Sequence, residues 1–227
     1  MLGVMARTVK ARHYDSSARR SASQERRRSI LGAARELFLD RGYVRTTMSA
    51  VADRSGVAVD TVYELVGRKP DLFRLLIETA ISGEDEPVPA EERDYVRRMQ
   101  AERTATGALA IYAGILPKIH ARLAPLVAVL QVAATTDPAL GDLWHEISER
   151  RATNMLRLAA NLDATGQLAV SVDQAADVIW ATNSPELYLL LVHQRHWSGE
   201  QYGDWLLDTW QRSLLHLDPD LGEGIAN

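Results

Sequence analysis

The sequence predicts an all-α protein, with a small three-helix head joined by a linking helix to a larger C-terminal helical bundle. Apolar residues recur at three- and four-residue spacing along most of the chain, without strand alternation or an internal repeat. Residues 1–69 hold 14 Lys and Arg against 7 Asp and Glu, whereas residues 70–227 hold 12 against 23. This division of charge indicates that the basic head meets a polyanion. With 46% hydrophobic residues, the 227-residue chain can bury a sizeable core.

The head begins with a helix predicted over residues 23–41. Its apolar residues lie on one face: Ile30, Leu31, Ala34, Leu37 and Phe38. Ser21 and Gln24 have the spacing of a capping box, and Gly42 ends the helix. Residues 1–22 are either a solvated tail or a flexible basic arm that adds phosphate or minor-groove contacts.

Two short helices and a sharp turn follow. Thr47 is the predicted N-cap of a second helix that continues through Arg54. Gly56 permits the positive φ that a reversal needs, and a third helix is predicted over about residues 58–65.

The spacing within these two helices is that of a helix-turn-helix. Such a motif needs a small residue on the inner face of its first helix, a glycine in the turn and an aliphatic anchor on its second helix. Ala52, Gly56 and Val62 have this relative spacing. The other predicted inward residues are Val51, Val57 and Leu65. The pattern favours DNA binding over a packing corner, because it leaves the outer face of the third helix free to enter a groove.

The rest of the chain reads as further helices. Pro70 opens the linking helix, which ends near Gly83, and "GEDEPVPAEE" is the best candidate for a linker. Pro117 and Pro125 are expected to interrupt or bound helices.

Beyond these prolines, Asp137 is the predicted cap of a long helix over residues 138–163, and "DATGQLAVS" is a predicted turn. Two final helices are predicted over residues 172–196 and 199–216, and Pro185 should kink the first of them. Each begins with a possible capping box, Ser171 with Gln174 and Ser198 with Gln201.

The segment "ILGAARELFLDRGYVRTTMSAVADRSGVAVDTVYELVGRKPDLFRLLI", residues 30–77, resembles the DNA-binding domain of the TetR family of bacterial transcriptional regulators. Both the order and the spacing of the motif residues agree, and "AARELFLDRGYVRTT" followed by "SGVAVDTVY" is a specific combination. The resemblance covers about 48 residues directly. After the basic arm at residues 1–22, it implies a DNA-binding domain at 23–69 and a ligand-binding and dimerisation domain at 70–227.

The resemblance also implies which residues contact DNA. Thr47 would cap the second helix and contact a phosphate, while Tyr63 and Lys69 would grip the DNA backbone. The full set is Arg45, Thr47, Ala58, Val59, Asp60, Thr61, Tyr63 and Lys69, of which residues 58–61 would present the third helix to the major groove. The alternatives are that Tyr63 only packs on the first helix and that Lys69 is a solvated surface residue.

The sequence departs from the family pattern at three points. Ala58 stands where the family has a serine cap, and Arg68 stands where it has a capping serine before the fourth helix. Glu64–Val66 replace the His-Phe that follows the tyrosine, so the docking of the third helix is left open.

The bundle carries more aromatic and apolar residues than tight packing needs, although core packing is the default for each. The candidate ligand-binding residues are Tyr112, Leu116, His120, Trp144, Met155, Trp180 and Asn183. They predict a small, largely apolar effector with one or two polar anchors at His120 or Asn183. Neither a cofactor nor a metal is expected.

The last two helices, residues 172–216, are predicted to form a homodimer. They are apolar on more than one face, so a second surface needs a partner. The residues that suggest this are Trp180, Leu187, Leu191, Trp205, Leu206, Trp210 and Leu214. With no uninterrupted apolar run of ~18 to 20 residues and no cleavable leader pattern, the expected location is the cytoplasm, without a membrane partner.

Together these features predict a ligand-responsive repressor that binds a palindromic double-stranded DNA operator. One alternative is an architectural DNA-binding protein without an effector. Another is an all-α metal-dependent enzyme, with a site built from His193, His196 and Glu200 or from His145, Glu146 and Glu149. The sequence has no cysteine, Gly-rich phosphate loop, nucleophile elbow or HExxH motif, which argues against the enzyme.

Overall fold

The computed structural model describes residues 13–84 and 86–216. These residues are almost entirely helical, with one isolated bridge between Leu168 and Leu215, as the all-α prediction requires. The chain divides into two compact units, Met1–Leu72 and Phe73–Asn227.

Helix α1 of the first unit spans His13–Arg45, and Gly42 breaks its regular geometry with φ 75° and ψ 170°. The predicted start at residue 23 is wrong: the helix runs through Ser21 and Gln24, which therefore do not form an N-terminal cap. Alanine, arginine and glutamine are good helix formers, so nothing in this stretch stops the helix. Residues 13–22 of the predicted flexible arm are helical, and residues 1–12 lie outside the described part.

Helices α2 (Met48–Ser55) and α3 (Val59–Val66) form the predicted helix-turn-helix. The side chain of Thr47 accepts a hydrogen bond from the N–H of Ala50 at 3.1 Å, which confirms the cap, and Gly56 turns the chain with φ 68°. Three inner residues are buried at 5% exposure or less: Val51, Ala52 and Val62. Val57 and Leu65 are half-buried, and α3 is anchored at its end by Val66.

In the second part of the chain, helix α4 (Lys69–Ser82) is followed by a 3₁₀ turn, Ala90–Glu92, and by α5 (Asp94–Ala101). Helix α6 then spans Ala105–Ala134 without a break. The predicted interruptions at Pro117 and Pro125 are wrong. Each proline removes one hydrogen bond of the helix, but buried residues of α6 lie before and after both prolines, and their packing outweighs that loss.

Helix α7 spans Pro138–Asp163, and Asp137 caps it as predicted. The predicted helix over 172–196 is instead three pieces: α8 (Val172–Thr182), α9 (Pro185–Tyr188) and a π-helical turn, Leu189–Gln194. Pro185 does not kink a continuous helix, because Ser184 caps a new one that Pro185 begins.

Helix α10 (Gly199–Leu214) completes the second unit. Ser198 and Gln201 form the predicted capping box in full. A Cβ added at Gly199 would lie 3.3 Å from Cβ of Pro117, and one added at Gly203 would lie 3.2 Å from the carbonyl oxygen of Ala113. The two glycines, one turn apart on α10, therefore form a groove that receives the ring of Pro117 from α6.

The core of the second unit contains part of the surface predicted for dimerisation. Leu206, Trp210 and Leu214 are fully buried within a single chain, so these three do not require a partner. Trp180 and Leu190 remain 36% and 49% exposed. Among the described residues, α6 is long and apolar enough to cross a membrane by length and composition alone, and half of its most apolar window is buried in the core of this unit.

Candidate functional site

The outward face of the helix-turn-helix carries most of the residues predicted to contact DNA. Thr47, Ala58 and Asp60 are exposed, as are Val59 at 40% and Tyr63 at 47%, whereas Thr61 is half-buried. The exposure of Tyr63 argues against the alternative that it packs on α1. Apart from Tyr63, the exposed side chains of this face are short, which suits a helix that enters a groove.

Two predicted cations lie near the start of α2. The ammonium of Lys69 lies 4.1 Å from the centroid of the Tyr43 ring and donates to the carbonyl of Val44 at 3.4 Å. Arg45 Nε donates to the carbonyl of Arg41 at 3.1 Å. Both positive side chains are thus held against the end of α1, just before the N-cap of α2 in the chain.

The departures from the family pattern have structural consequences. Ala58 makes no side-chain cap, so the first amides of α3 depend on other groups. Before α4, the N–H of Arg68 donates to Oδ2 of Asp71 at 2.9 Å, which supplies half of a capping box without a serine.

Thr46, which the sequence pattern does not single out, is fully buried near the Gly42 break. Its hydroxyl lies 2.9 Å from the carbonyl of Gly42 and 3.1 Å from that of Leu37. Thr46 therefore ties the end of α1 to the segment that leads into α2. Because the neighbouring Thr47 was the predicted cap, the sequence did not indicate this role for Thr46.

The second unit encloses a cavity of about 540 Å³. Six of the seven predicted ligand residues line it: Tyr112, Leu116, His120, Trp144, Met155 and Asn183. Trp180 does not; it lies at the surface, with the Arg151 guanidinium 5.2 Å from its ring. A volume of this size is sufficient for a small organic ligand.

A buried polar cluster forms the inner wall of this cavity. Nε2 of His120 lies 2.8 Å from Oδ1 of Asn183, and the amide of Asn183 donates to the Tyr112 hydroxyl. That hydroxyl lies 3.7 Å from the sulfur of Met155. His120, Asn183 and Tyr112 are 2%, 5% and 6% exposed, so these groups are held away from solvent.

Burial sets the charge state of the cluster. It lowers the pKa of His120 to about 4, although the bond to Asn183 opposes this and the nearby Arg151 adds to it. Burial also raises the pKa of Tyr112. Both side chains are therefore uncharged at neutral pH.

Charged residues also line the cavity. Arg150 pairs with Glu78 at 2.6 Å. Arg151 donates to the carbonyls of Trp180 and Asn183, and so caps the C-terminal end of α8. The sequence pattern gives no signal for Arg151, because helical spacing on α7 does not reveal which carbonyls a side chain will reach.

Two of the residues considered for a metal site make other contacts. Glu146 binds Arg74 at 2.6 Å, which lowers the pKa of that carboxyl, and His145 bonds the carbonyl of Gly141. Within residues 13–84 and 86–216, no three His, Cys, Asp or Glu side chains lie close enough to hold a metal ion.

The N-terminal part of the chain is similar in sequence to known regulators. Residues 30–76 match the family described as bacterial regulatory proteins, tetR family. The HTH-type transcriptional regulator HbdR from Aromatoleum sp. (strain CIB) is 29% identical over 68 residues, 30% of each chain. The HTH-type transcriptional activator FasR from Mycolicibacterium smegmatis is 39% identical over 54 residues, 24% of this chain and 25% of FasR. The chain thus covers less than a third of the length of these relatives.

The fold is similar over most of the chain. NalD, the secondary repressor of the MexAB-OprM multidrug efflux pump in Pseudomonas aeruginosa, is 18% identical, with a TM-score of 0.64 over 86% of this chain and 98% of NalD. A protein from Saccharomonospora viridis, solved in complex with choline, is 17% identical, with a TM-score of 0.62 over 84% of this chain and 98% of its own. At these identities, the likeness establishes the fold.

Proposed function

Because the chain carries a TetR-family DNA-binding domain in residues 30–76, we propose that it is a ligand-responsive transcriptional regulator, a repressor that a small, largely apolar effector releases from a palindromic operator. The observation that carries this proposal is the exposed face of α3 beside the exposed cap of α2. Such a regulator acts in the cytoplasm, where its operator lies.

DNA contact divides between positioning and recognition. Thr47, at the N-terminus of α2, and the cations Arg45 and Lys69 suit phosphate oxygens, whereas residues 58–61 and Tyr63 occupy the face of α3 that would meet the groove. Two copies of α3 related by a dimer axis would contact half-sites about 34 to 36 Å apart, or further apart if two dimers bind. We assign the dimer contact to residues 172–216, whose exposed Trp180 and Leu190 remain to be covered.

The cavity is the natural place for the effector, since its wall is largely apolar and partly enclosed. An effector can release the operator only if it binds one arrangement of the protein more tightly than another. A coupling of ~1 to 3 kcal/mol would lower DNA affinity about 5- to 150-fold, and bound DNA would weaken effector binding by the same factor.

The test is selection of binding sites from random DNA with the full-length chain, followed by a screen for compounds that release the selected site. A repressor selects a palindrome, and some compound both binds the protein and weakens DNA binding. An architectural protein would select no sequence. If hydrophobic compounds bind without ever shifting DNA affinity, the sensing half of the proposal is wrong while the DNA-binding half stands.

A further inference from the structure

The inner wall of the cavity holds hydrogen-bonding groups with incomplete or weak partners. His120 donates through Nε2 to Asn183, which leaves Nδ1 as an acceptor, and this buried atom has no hydrogen-bond partner among the described residues. The Tyr112 hydroxyl accepts from Asn183 and has the sulfur of Met155, at 3.7 Å, as the acceptor for its own proton. A thioether is a weak acceptor, so an oxygen would replace it favourably.

This wall is also uncharged. His120 and Tyr112 are neutral at physiological pH, because burial moves the pKa of each away from its charged form. An ionised ligand group placed here would lose its hydration without gaining an opposite charge from these side chains, which is costly. A neutral group that both donates and accepts would lose far less.

The charged side chains of the cavity include Arg151, which lies near His120, and several of them are already engaged. Arg150 pairs with Glu78, Arg151 caps α8, and Nε of Arg93 donates to the carbonyl of Val88 at 3.0 Å. An anionic ligand would have to compete with these existing partners for a positive side chain. The structure therefore offers two distinct recognition chemistries, of which the buried one has an acceptor without a partner.

We propose that the inner wall of the cavity recognises an uncharged hydroxyl group, a phenol or an alcohol, carried by a largely apolar ligand. The ligand oxygen accepts from the Tyr112 hydroxyl in place of the Met155 sulfur, and its own proton has Nδ1 of His120 as an acceptor. This inference rests on the proposed effector function of the same cavity and specifies the chemistry of the effector.

Three probes of one shape test it by calorimetric titration of the full-length chain at pH 7: 4-propylphenol, propylbenzene and 4-propylbenzoate. The phenol, with a pKa of about 10, is neutral at this pH. It should bind at least ~5-fold more tightly than propylbenzene, because one net hydrogen bond raises affinity by about this factor. Tyr112→Phe should abolish that advantage and leave propylbenzene binding unchanged, which also shows that the cavity is intact.

Tyr95→Phe is the matched control, because Tyr95 also lines the cavity and stacks on Tyr112, with centroids 6.4 Å apart. It should keep the preference for the phenol. Equal affinity for phenol and propylbenzene, tighter binding of the benzoate, or an unchanged preference in Tyr112→Phe would each overturn the inference. If propylbenzene binds and weakens DNA binding while the phenol gains nothing, the inference alone fails; if none of the probes binds, the assignment of the cavity to an effector fails with it.

Discussion

The buried His120 should make the stability of the second unit depend on pH. In the folded protein the pKa of His120 is about 4, below the ordinary value of 6.5. Below pH 6.5 the unfolded chain therefore takes up a proton that the folded chain does not, so stability falls as the pH drops from about 6.5 towards 4. The gap between these two pKa values corresponds to a loss of about 3 kcal/mol.

The neighbours of His120 do not offset this effect. Tyr188 and Tyr202 pack around its ring, at 5.5 and 6.1 Å between centroids, and the pKa of each is raised, so neither ionises in this range. Arg151 is the nearby cation, and its charge lowers the pKa of His120 further.

Urea unfolding followed by tryptophan fluorescence measures this loss. All five tryptophans lie between residues 144 and 210, so the signal reports on the second unit. Carboxylates elsewhere also titrate, and for this reason the informative quantity is the difference between the wild type and His120→Gln, which retains a donor but cannot titrate. Between pH 7 and pH 4.5 the wild type should lose about 2 to 3 kcal/mol more than the variant.

His145→Gln serves as the control, since it removes an exposed histidine and should keep the steep pH dependence of the wild type. If the wild type and His120→Gln lose equal stability over this range, His120 is not held neutral in the folded protein, and the uncharged inner wall of the cavity is wrong as well.

Three further predictions concern the DNA-binding face and the dimer. Lys69→Ala should weaken binding to all DNA sequences alike and reduce the slope of log affinity against log salt by about one, whereas Thr61→Ala should mainly change which sequences are preferred; an unchanged slope would remove Lys69 from the phosphate contacts. Thr47→Ala should destabilise α2 by about 1 kcal/mol, seen as faster hydrogen exchange over residues 48–55, and Thr47→Ser should not, so equal exchange in the two variants would refute the cap. Analytical ultracentrifugation at micromolar concentration should find a dimer that Leu190→Glu dissociates, and a wild-type monomer would exclude the proposed contact.

Local signals predicted the short elements of the head well. Thr47 and Gly56 each act within a few residues of themselves, through one cap and one positive φ, so the sequence contains all that determines them. The start of α1 was mispredicted because a capping signal also depends on the residues that precede it. A Ser-x-x-Gln spacing caps a helix only where the chain is not already helical, and the residues before Ser21 extend the helix.

The errors in the second unit arise from packing. Pro117 lies within a helix that neighbouring helices hold on both sides, and no local rule indicates that support. The apolar residues of the last helices were predicted to be buried by a second copy of the chain, although Trp210 is buried within its own chain. The cavity residues were identified from their chemistry, but Asn183, the hydrogen-bond partner of His120, lies 63 residues away in sequence and only the fold reveals this contact.

The fit of Pro117 into the glycine groove of α10 determines which motions the second unit allows. A slide of α10 by four residues, about 6 Å, would bring Leu207 to the place of Gly203 and force a branched side chain against the ring. Rotation about the helix axis meets the same obstacle, because the residues beside the glycines carry side chains. The contact between Pro117 and the two glycines therefore fixes the register of α6 against α10. A ligand that reshapes this unit is therefore expected to move α6 and α10 together rather than past each other.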